Sequence, residues 1–375
     1  MFDFAIIGAG ISGASVAFFL KQAGKKVIVI EQDKSASGGS GAAGAFLSPK
    51  IGSDSDYSHF INDSFQFSLD FYQKQFPKFL KKPGMLRLLR SPSDILKCQA
   101  HEQKLPRHFT YLKAEEVSHI KKEACRYGGY FFDQGTIIDS VGVIDAMLQD
   151  IEVVENTKVT SLIFEDGGYQ IGSIKARGVI LCAGHNEGFP QSDYCMLKKI
   201  YGHRLDIQTS AFLPFHIHKK YSVSASENQM ISIGATHIPG YQYDATKDFT
   251  SEIDTLLQAV ESYVDLGAYE IKKVHFGVRS ATIDFFPVLG ALIDAKATLK
   301  AYPYIAKGSK VPSTRYHYYP HLYVHSGHGA RGFVLAPSTA RILVDNICHH
   351  VAIPKRLDTK RLFLKYARRE NALKL

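Results

Sequence analysis

Apolar positions open the chain in one short run, Phe4-Ala5-Ile6-Ile7, and return as Val27-Ile28-Val29-Ile30 after a stretch with helical apolar spacing. Short, unbroken apolar runs bounded by glycine and polar residues read as strands buried on both faces, so this segment predicts strand, helix, strand. Gly178-Val179-Ile180-Leu181-Cys182-Ala183-Gly184 and Leu322-Tyr323-Val324 read the same way, the second leading through a glycine-rich turn into a helix from about Pro337 to Cys348. Between them the period changes. Phe65, Leu69, Tyr72 and Phe76 share one face of a helix predicted over Phe60 to Phe79. Tyr221–Ala225 and Met230–Thr236 alternate as half-buried strands. Ser251 to Val264 is a capped amphipathic helix with Ile253, Leu256, Leu257 and Val260 inward. Asp294 to Pro320 shows no period, is rich in tyrosine and basic residues, and reads as a long lid or binding loop.

The turn after the first strand carries the clearest chemistry. Gly8-x-Gly10-x-x-Gly13 gives a tight turn, a close backbone approach to a pyrophosphate, and close packing of helix on sheet. Ser12 lies in the first turn of that helix, whose N-terminal N–H groups favour phosphate. Glu31 ends the second strand, where an acid accepts hydrogen bonds from a ribose. Such a glycine pattern alone also serves as a plain strand-to-helix turn; with both strands, the helix and the acid it points to a dinucleotide. The segment Ser35 to Ala45, including Gly38 and Gly44, is dense in small residues and suits backbone running against a flat, bulky ligand.

Composition narrows the class. A chain of 375 residues suits two domains, and 45% apolar with 22% charged residues is ordinary for a globular protein. No apolar run approaches the roughly 18 residues of a membrane span. The first strand follows Met1 closely, which leaves no room for a signal peptide. Cys98, Cys125, Cys182, Cys195 and Cys348 are odd in number and lack metal-ligand spacing, so they read as reduced thiols. A cytoplasmic protein without a metal is expected. The formal charge of +9 is uneven: the last 21 residues hold eight Lys/Arg against two acids, and Tyr72 to Arg90 holds six bases and no acid. Such clustering fits either a polyanionic partner or a solvated helix face. His216-Ile217-His218 and His349-His350 read as a surface feature and a helix end.

Together these segments resemble the FAD-dependent oxidoreductases of the D-amino-acid oxidase and glycine oxidase superfamily. The likeness is narrower in three blocks. Gly277-Val278-Arg279-Ser280-Ala281-Thr282-Ile283-Asp284-Phe285-Phe286-Pro287-Val288-Leu289-Gly290, Gly327-His328-Gly329-Ala330-Arg331-Gly332, and Asp358 to Arg369 are similar to the oxidoreductase domain of the tRNA 5-methylaminomethyl-2-thiouridine biosynthesis family.

The resemblance implies an α/β fold: a Rossmann-like FAD-binding domain of the glutathione-reductase-like type and an antiparallel-sheet substrate domain. The expected divisions are 1–75, 136–200 and 320–355 for FAD, 76–135 and 201–319 for substrate, and a basic C-terminal helix at 356–375. It implies FAD held by Gly8, Gly10, Ser12, Gly13, Glu31, Gly38, Gly44, Ala183, Gly184, Gly329 and Gly332. Arg279 would clamp a substrate carboxylate with its planar fork, its alternative being a strand-end pair with Asp284. Arg331 would contact substrate or close its turn. His328 reads equally as a turn residue or a catalytic one, and His203 and Arg204 as rim or structural residues. The implied substrate is the carboxymethylaminomethyl group of a modified tRNA wobble uridine; the alternatives are a free amino acid, or a flavin-bearing binding protein. Because the tRNA family carries a methyltransferase before its flavin domain, a chain starting at the fingerprint is expected to stand alone or to work with a separate methyltransferase.

Overall fold

The apolar runs pair into one sheet. The computed structural model describes residues 1–102, 109–185, 188–240 and 249–373, with side chains to Arg369; residues 374–375 of the expected C-terminal helix lie outside them. The chain divides into a first unit, Met1–Gly39, Ile144–Lys199 and Arg279–Leu375, and a second, Ser40–Val143 and Ile200–Val278.

In the first unit, β1 (Phe2–Ile7), α1 (Ile11–Gln22), β2 (Val27–Ile30), β3 (Glu152–Val154), β4 (Ile174–Leu181), β5 (Val288–Ile293), β6 (Tyr318–Ser326), α2 (Gly332–His349) and α3 (Thr359–Leu373) build the part that matters for the site. The sheet order is β5-β6-β4-β1-β2-β3. β1 is parallel to β2 and β4, and β6 is parallel to β4. Ile7 lies opposite both Ile30 and Leu181, and Leu181 opposite Val324. Gly8, Glu31 and Cys182 therefore leave the sheet at one edge, the edge at which β6 ends with Ser326. Since β1 has β2 on one side and β4 on the other, this edge is a topological switch point, where open parallel sheets bind ligands.

Several expectations change. Residues 279–319 belong to the first unit, not with the antiparallel sheet, because β5 pairs antiparallel with β6. Asp294–Pro320 is not a loop. Asp294 caps a helix over Ala295–Ala301, accepting from Ala297 N at 2.9 Å, and Pro303–Lys307 and Ser313–Arg315 form 3-10 turns. Ile305 and Tyr316 are buried there, and Tyr302, Tyr318 and Tyr319 pack on the same core. The helix expected from Pro337 starts at Gly332, with Pro337 inside it. The Ser338 and Thr339 hydroxyls both donate to Leu335 O, at 3.0 and 2.7 Å, in the turn where proline interrupts the backbone ladder.

The second unit holds a nine-stranded, mostly antiparallel sheet. Lys198–Thr209 pairs with Met230–Gly234, and Leu205, Ile207, Ile231 and Ile233 form its core with Leu256, Leu257 and Val260 of the helix Thr250–Glu261. The strand expected at 221–225 is only Ser222–Val223, because the Ser224 hydroxyl takes the Ser232 N–H at 2.8 Å. The helix expected at 60–79 runs Asp56–Gln75, capped by Ser55 and stopped before Pro77. Among the described residues no helix is long and apolar enough to cross a membrane.

Candidate active site

At the switch point, glycine is a steric requirement. Gly8 has φ +107, and a Cβ there would lie 2.6 Å from Cys182 O and 3.2 Å from Ala183 Cα. A Cβ on Gly13 would collide with Gly8 O, and one on Gly332 would press Ile11 Cγ2 at 3.2 Å. Thus Gly8, Gly13, Cys182–Ala183 and the start of α2 meet around the N-terminus of α1. Gly10 caps α1 without any side-chain hydrogen bond, and the first turn contains no acid. Glu31 takes the Ala9 N–H at 2.7 Å and the Asp33 N–H at 3.2 Å, which aims its carboxylate along the same edge. A backbone cradle that side chains would fill, an uncapped helix start and a fixed acid suit the adenosine diphosphate part of a dinucleotide.

Ser12 points elsewhere. Its Oγ donates to His325 O at 2.6 Å and lies 2.7 Å from His325 Nδ1. His325 Nε2 and His328 Nε2 both meet Thr339 Oγ1, at 2.8 and 3.1 Å. Ser12, β6 and α2 are thereby tied together. Burial pushes His325 well below the usual imidazole range and His328 down to about 3, so both are neutral at physiological pH. His328 is thereby held to α2 through Thr339.

Arg279 is half-buried near the end of the strand Tyr269–Ala281, and burial lowers its guanidinium pKa. The next residues pack on the glycine-rich turn: Ala281 bridges to His328, Ser280 Oγ lies 3.3 Å from Ser326 Oγ, and a Cβ on Gly327 (φ +80) would meet Thr282 Cγ2 at 2.7 Å. Gly329 (φ +59) faces Ala281, and Arg331 is the last residue of this turn before α2. Gly184 (φ +64) accepts from Ser326 Oγ at 3.3 Å. Arg279, Arg331, Gly184, Gly329 and Gly332 therefore belong to one neighbourhood. Gly38 is exposed with open space at its Cβ position, so nothing in the fold requires glycine there. Gly44 lies in the second unit, against the Phe46 ring and Arg204 Cδ.

Asp284 is not the partner of a strand-end arginine. Its carboxylate takes Arg361 Nε at 3.1 Å and Lys365 Nζ at 2.7 Å, and although burial raises its pKa these two cations hold it below the usual range. Lys360 likewise pairs with Asp358 at 3.2 Å. In α3, Leu362, Phe363 and Ala367 are fully buried, so the basic tail is part of the core of the first unit.

The second unit contains a cluster that periodicity did not reveal. Arg204 Nη1 donates to Ala43 O at 3.0 Å, and its Nη2 lies 3.3 Å from Asp206 Oδ2 and 2.7 Å from His275 Nε2. Asp206 also takes the Ser232 hydroxyl at 2.6 Å. The only available signal was the alternation of 204 and 206 along one strand; the pairing with His275 is a matter of register. His216, expected at the surface, is buried, with Nε2 2.8 Å from Lys82 O and Nδ1 accepting from Ala225 N at 2.9 Å. Among the described residues no group of three or more His, Cys, Asp or Glu could hold a metal ion.

These histidines predict acid sensitivity. Burial depresses His328 to about 3 and His216 to about 4, below the value near 6.5 in an unfolded chain. Above pH 6.5 neither state binds the proton; below it only the unfolded chain does, so stability falls with pH. His328 in the first unit and His216 in the second should each cost about 2 kcal/mol of stability between pH 6.5 and 5. Urea melts across that range check this, and a flat profile would contradict the burial of both side chains.

Comparison with known proteins places this geometry. Residues 3–346 match the FAD dependent oxidoreductase family. Among curated proteins, the chain is 24% identical to the tRNA 5-methylaminomethyl-2-thiouridine biosynthesis bifunctional protein MnmC of Methylobacillus flagellatus, over 92% of this chain and 56% of that protein. It is also 24% identical to the MnmC of Legionella pneumophila subsp. pneumophila, over 94% of this chain and 55% of that protein. The chain spans about half the length of these relatives. Among solved structures, glycine oxidase from Bacillus cereus ATCC 14579 superimposes with TM-score 0.76 at 18% identity, over 94% of this chain and 96% of that one. Iminodiacetate oxidase from Chelativorans sp. BNC1 gives 0.73 at 18%, over 95% and 98%. These two likenesses concern the fold.

Proposed function

Since this chain belongs to the FAD dependent oxidoreductase family, we propose that it oxidises the CH–NH bond of a secondary amine: the carboxymethylaminomethyl group of a tRNA wobble uridine. The products are aminomethyluridine and glyoxylate, water adding to the imine carbon as the C–N bond breaks. The observation that carries the reading is half-buried Arg279 standing two residues before Ala281, which bridges to His328 in the Gly327–Gly332 turn.

Gly8, Gly10, Gly13 and the α1 N-terminus would hold the pyrophosphate of FAD, Glu31 the ribose, and Ala183, Gly184, Gly329 and Gly332 the flavin end. Bound FAD supplies a two-electron acceptor for hydride. Arg279 grips the glycine-like carboxylate bidentately and so fixes the adjoining carbon, and Arg331 lines the same turn. The neutral Ser12–His325–Thr339–His328 chain keeps that turn seated on α1. Support for RNA comes from the basic surface and from relatives named for tRNA biosynthesis. A methyltransferase step would complete the modification.

A strain lacking the gene tests this reading. Nucleosides from its tRNA should accumulate carboxymethylaminomethyl uridine and lose the aminomethyl derivatives. An unchanged nucleoside profile would exclude the tRNA substrate.

A further inference from the structure

One atom in the second unit faces two partners that it cannot satisfy together. His275 Nε2 lies 2.7 Å from Arg204 Nη2 and 2.6 Å from Asp206 Oδ2. Toward a guanidinium, which only donates, this nitrogen must be a bare acceptor; toward an ionised carboxylate, which only accepts, it must carry a proton. The place of a single proton therefore decides which contact is a hydrogen bond. The Arg204 and His275 side chains are each only 14% exposed, so water is a poor substitute for a lost partner. Asp206 is fixed from its other oxygen by the Ser232 hydroxyl at 2.6 Å. Arg204 is held more loosely: its Nε is buried with no hydrogen-bond partner, and its contact to Asp206 Oδ2 is 3.3 Å.

Arg204 also ties the small-residue segment to the strand Lys198–Thr209. Its Nη1 donates to Ala43 O at 3.0 Å, and a Cβ on Gly44 would meet its Cδ at 3.7 Å. After Gly44 other bonds take over. Ile138 N donates to Ala45 O at 3.1 Å, Phe46 pairs with Ile137, and the Phe46 ring meets His216 edge-on with centroids 6.0 Å apart. Before Gly44, Ala43 N closes a local turn onto Ser40 O at 3.2 Å.

We propose that His275 is a proton-operated latch on the segment around Ala43. With Nε2 bare, His275 accepts from Arg204 and keeps the guanidinium where Nη1 reaches Ala43 O. Once protonated, Nε2 donates to Asp206 instead, and an imidazolium against a guanidinium drives Arg204 away, releasing the Ala43 carbonyl. The charges facing His275 are Arg204 and Asp206 on the paired strand and Lys273 on its own. Burial, then Arg204, lower its pKa from the ordinary value near 6.5; Asp206 opposes them and Lys273 adds to them. The latch is therefore closed at neutral pH and opens on acidification.

The test is nitrogen NMR of the FAD-loaded protein with labelled histidines, from about pH 8 to about pH 4.5, with crystal structures at both ends. At the alkaline end His275 Nε2 should carry no proton. At the acid end the Arg204 Nη1 to Ala43 O separation should grow beyond about 3.5 Å, outside hydrogen-bond range. Arg204→Met removes the opposing cation, so the His275 pKa should rise by about one unit or more. His275→Gln offers a carbonyl to Arg204 and an N–H to Asp206 at once, and should keep the Ala43 bond at both pH values. If Arg204→Met does not fold, the glutamine variant and the unsubstituted protein still decide. A proton on Nε2 at the alkaline end, or an Ala43 contact unchanged by acid in the unsubstituted protein, would overturn the latch. So would loss of that contact in acid in His275→Gln, because the response would then belong to another group, such as His216 against Phe46.

Discussion

Arg279→Ala should leave FAD bound and the protein folded, yet lower kcat/KM on a carboxymethyl amine by about 100-fold or more. A bidentate, charge-assisted grip on the carboxylate is worth a few kcal/mol in the transition state, and alanine removes all of it. Arg279→Lys should recover only part, since a point charge replaces a fork. Steady-state kinetics with the flavin absorbance as control measure this. Near-normal turnover in the alanine variant would remove Arg279 from the site.

The second large effect is on stability. Phe363 has no exposed surface and packs edge-on against Tyr194 and Tyr316, with ring centroids 5.9 and 5.2 Å away. Phe363→Ala should cost about 3–5 kcal/mol in urea unfolding. Removing everything after Asp358 deletes Leu362, Phe363 and Ala367 together, and strips Asp284 of both cations. That shortened chain should fail to fold or to retain FAD. If it keeps its flavin and melts within a few degrees of the full chain, α3 is a detachable tail and not core.

What was legible in the sequence follows from locality. The Gly8–Gly13 turn and Glu31 are readable because each residue's role is fixed by its near neighbours: a glycine where a Cβ would strike Cys182 O, an acid at a strand end. FAD followed from family likeness, which sums local blocks over the chain. Long-range partners were not readable. Asp284 meets residues 77 and 81 positions away, and Arg204 meets His275 71 positions away. The segment after Asp294 passed for a loop because its helix has only seven residues, Ala295–Ala301, too few to display a period. Pro337 suggested a helix start because proline favours first turns, whereas packing against α1 carries α2 back to Gly332. The tail's charge was plain in the sequence. That its opposite face fills the core was not.

The most direct measurement gives the purified, FAD-loaded protein tRNA bearing carboxymethylaminomethyl uridine, with glycine and sarcosine in parallel reactions. Nucleoside mass spectrometry and glyoxylate quantitation follow the products. The account predicts conversion to aminomethyluridine with equimolar glyoxylate, and a far lower kcat/KM on the free amines. Rapid oxidation of glycine or sarcosine, with the tRNA nucleoside unchanged, would contradict it.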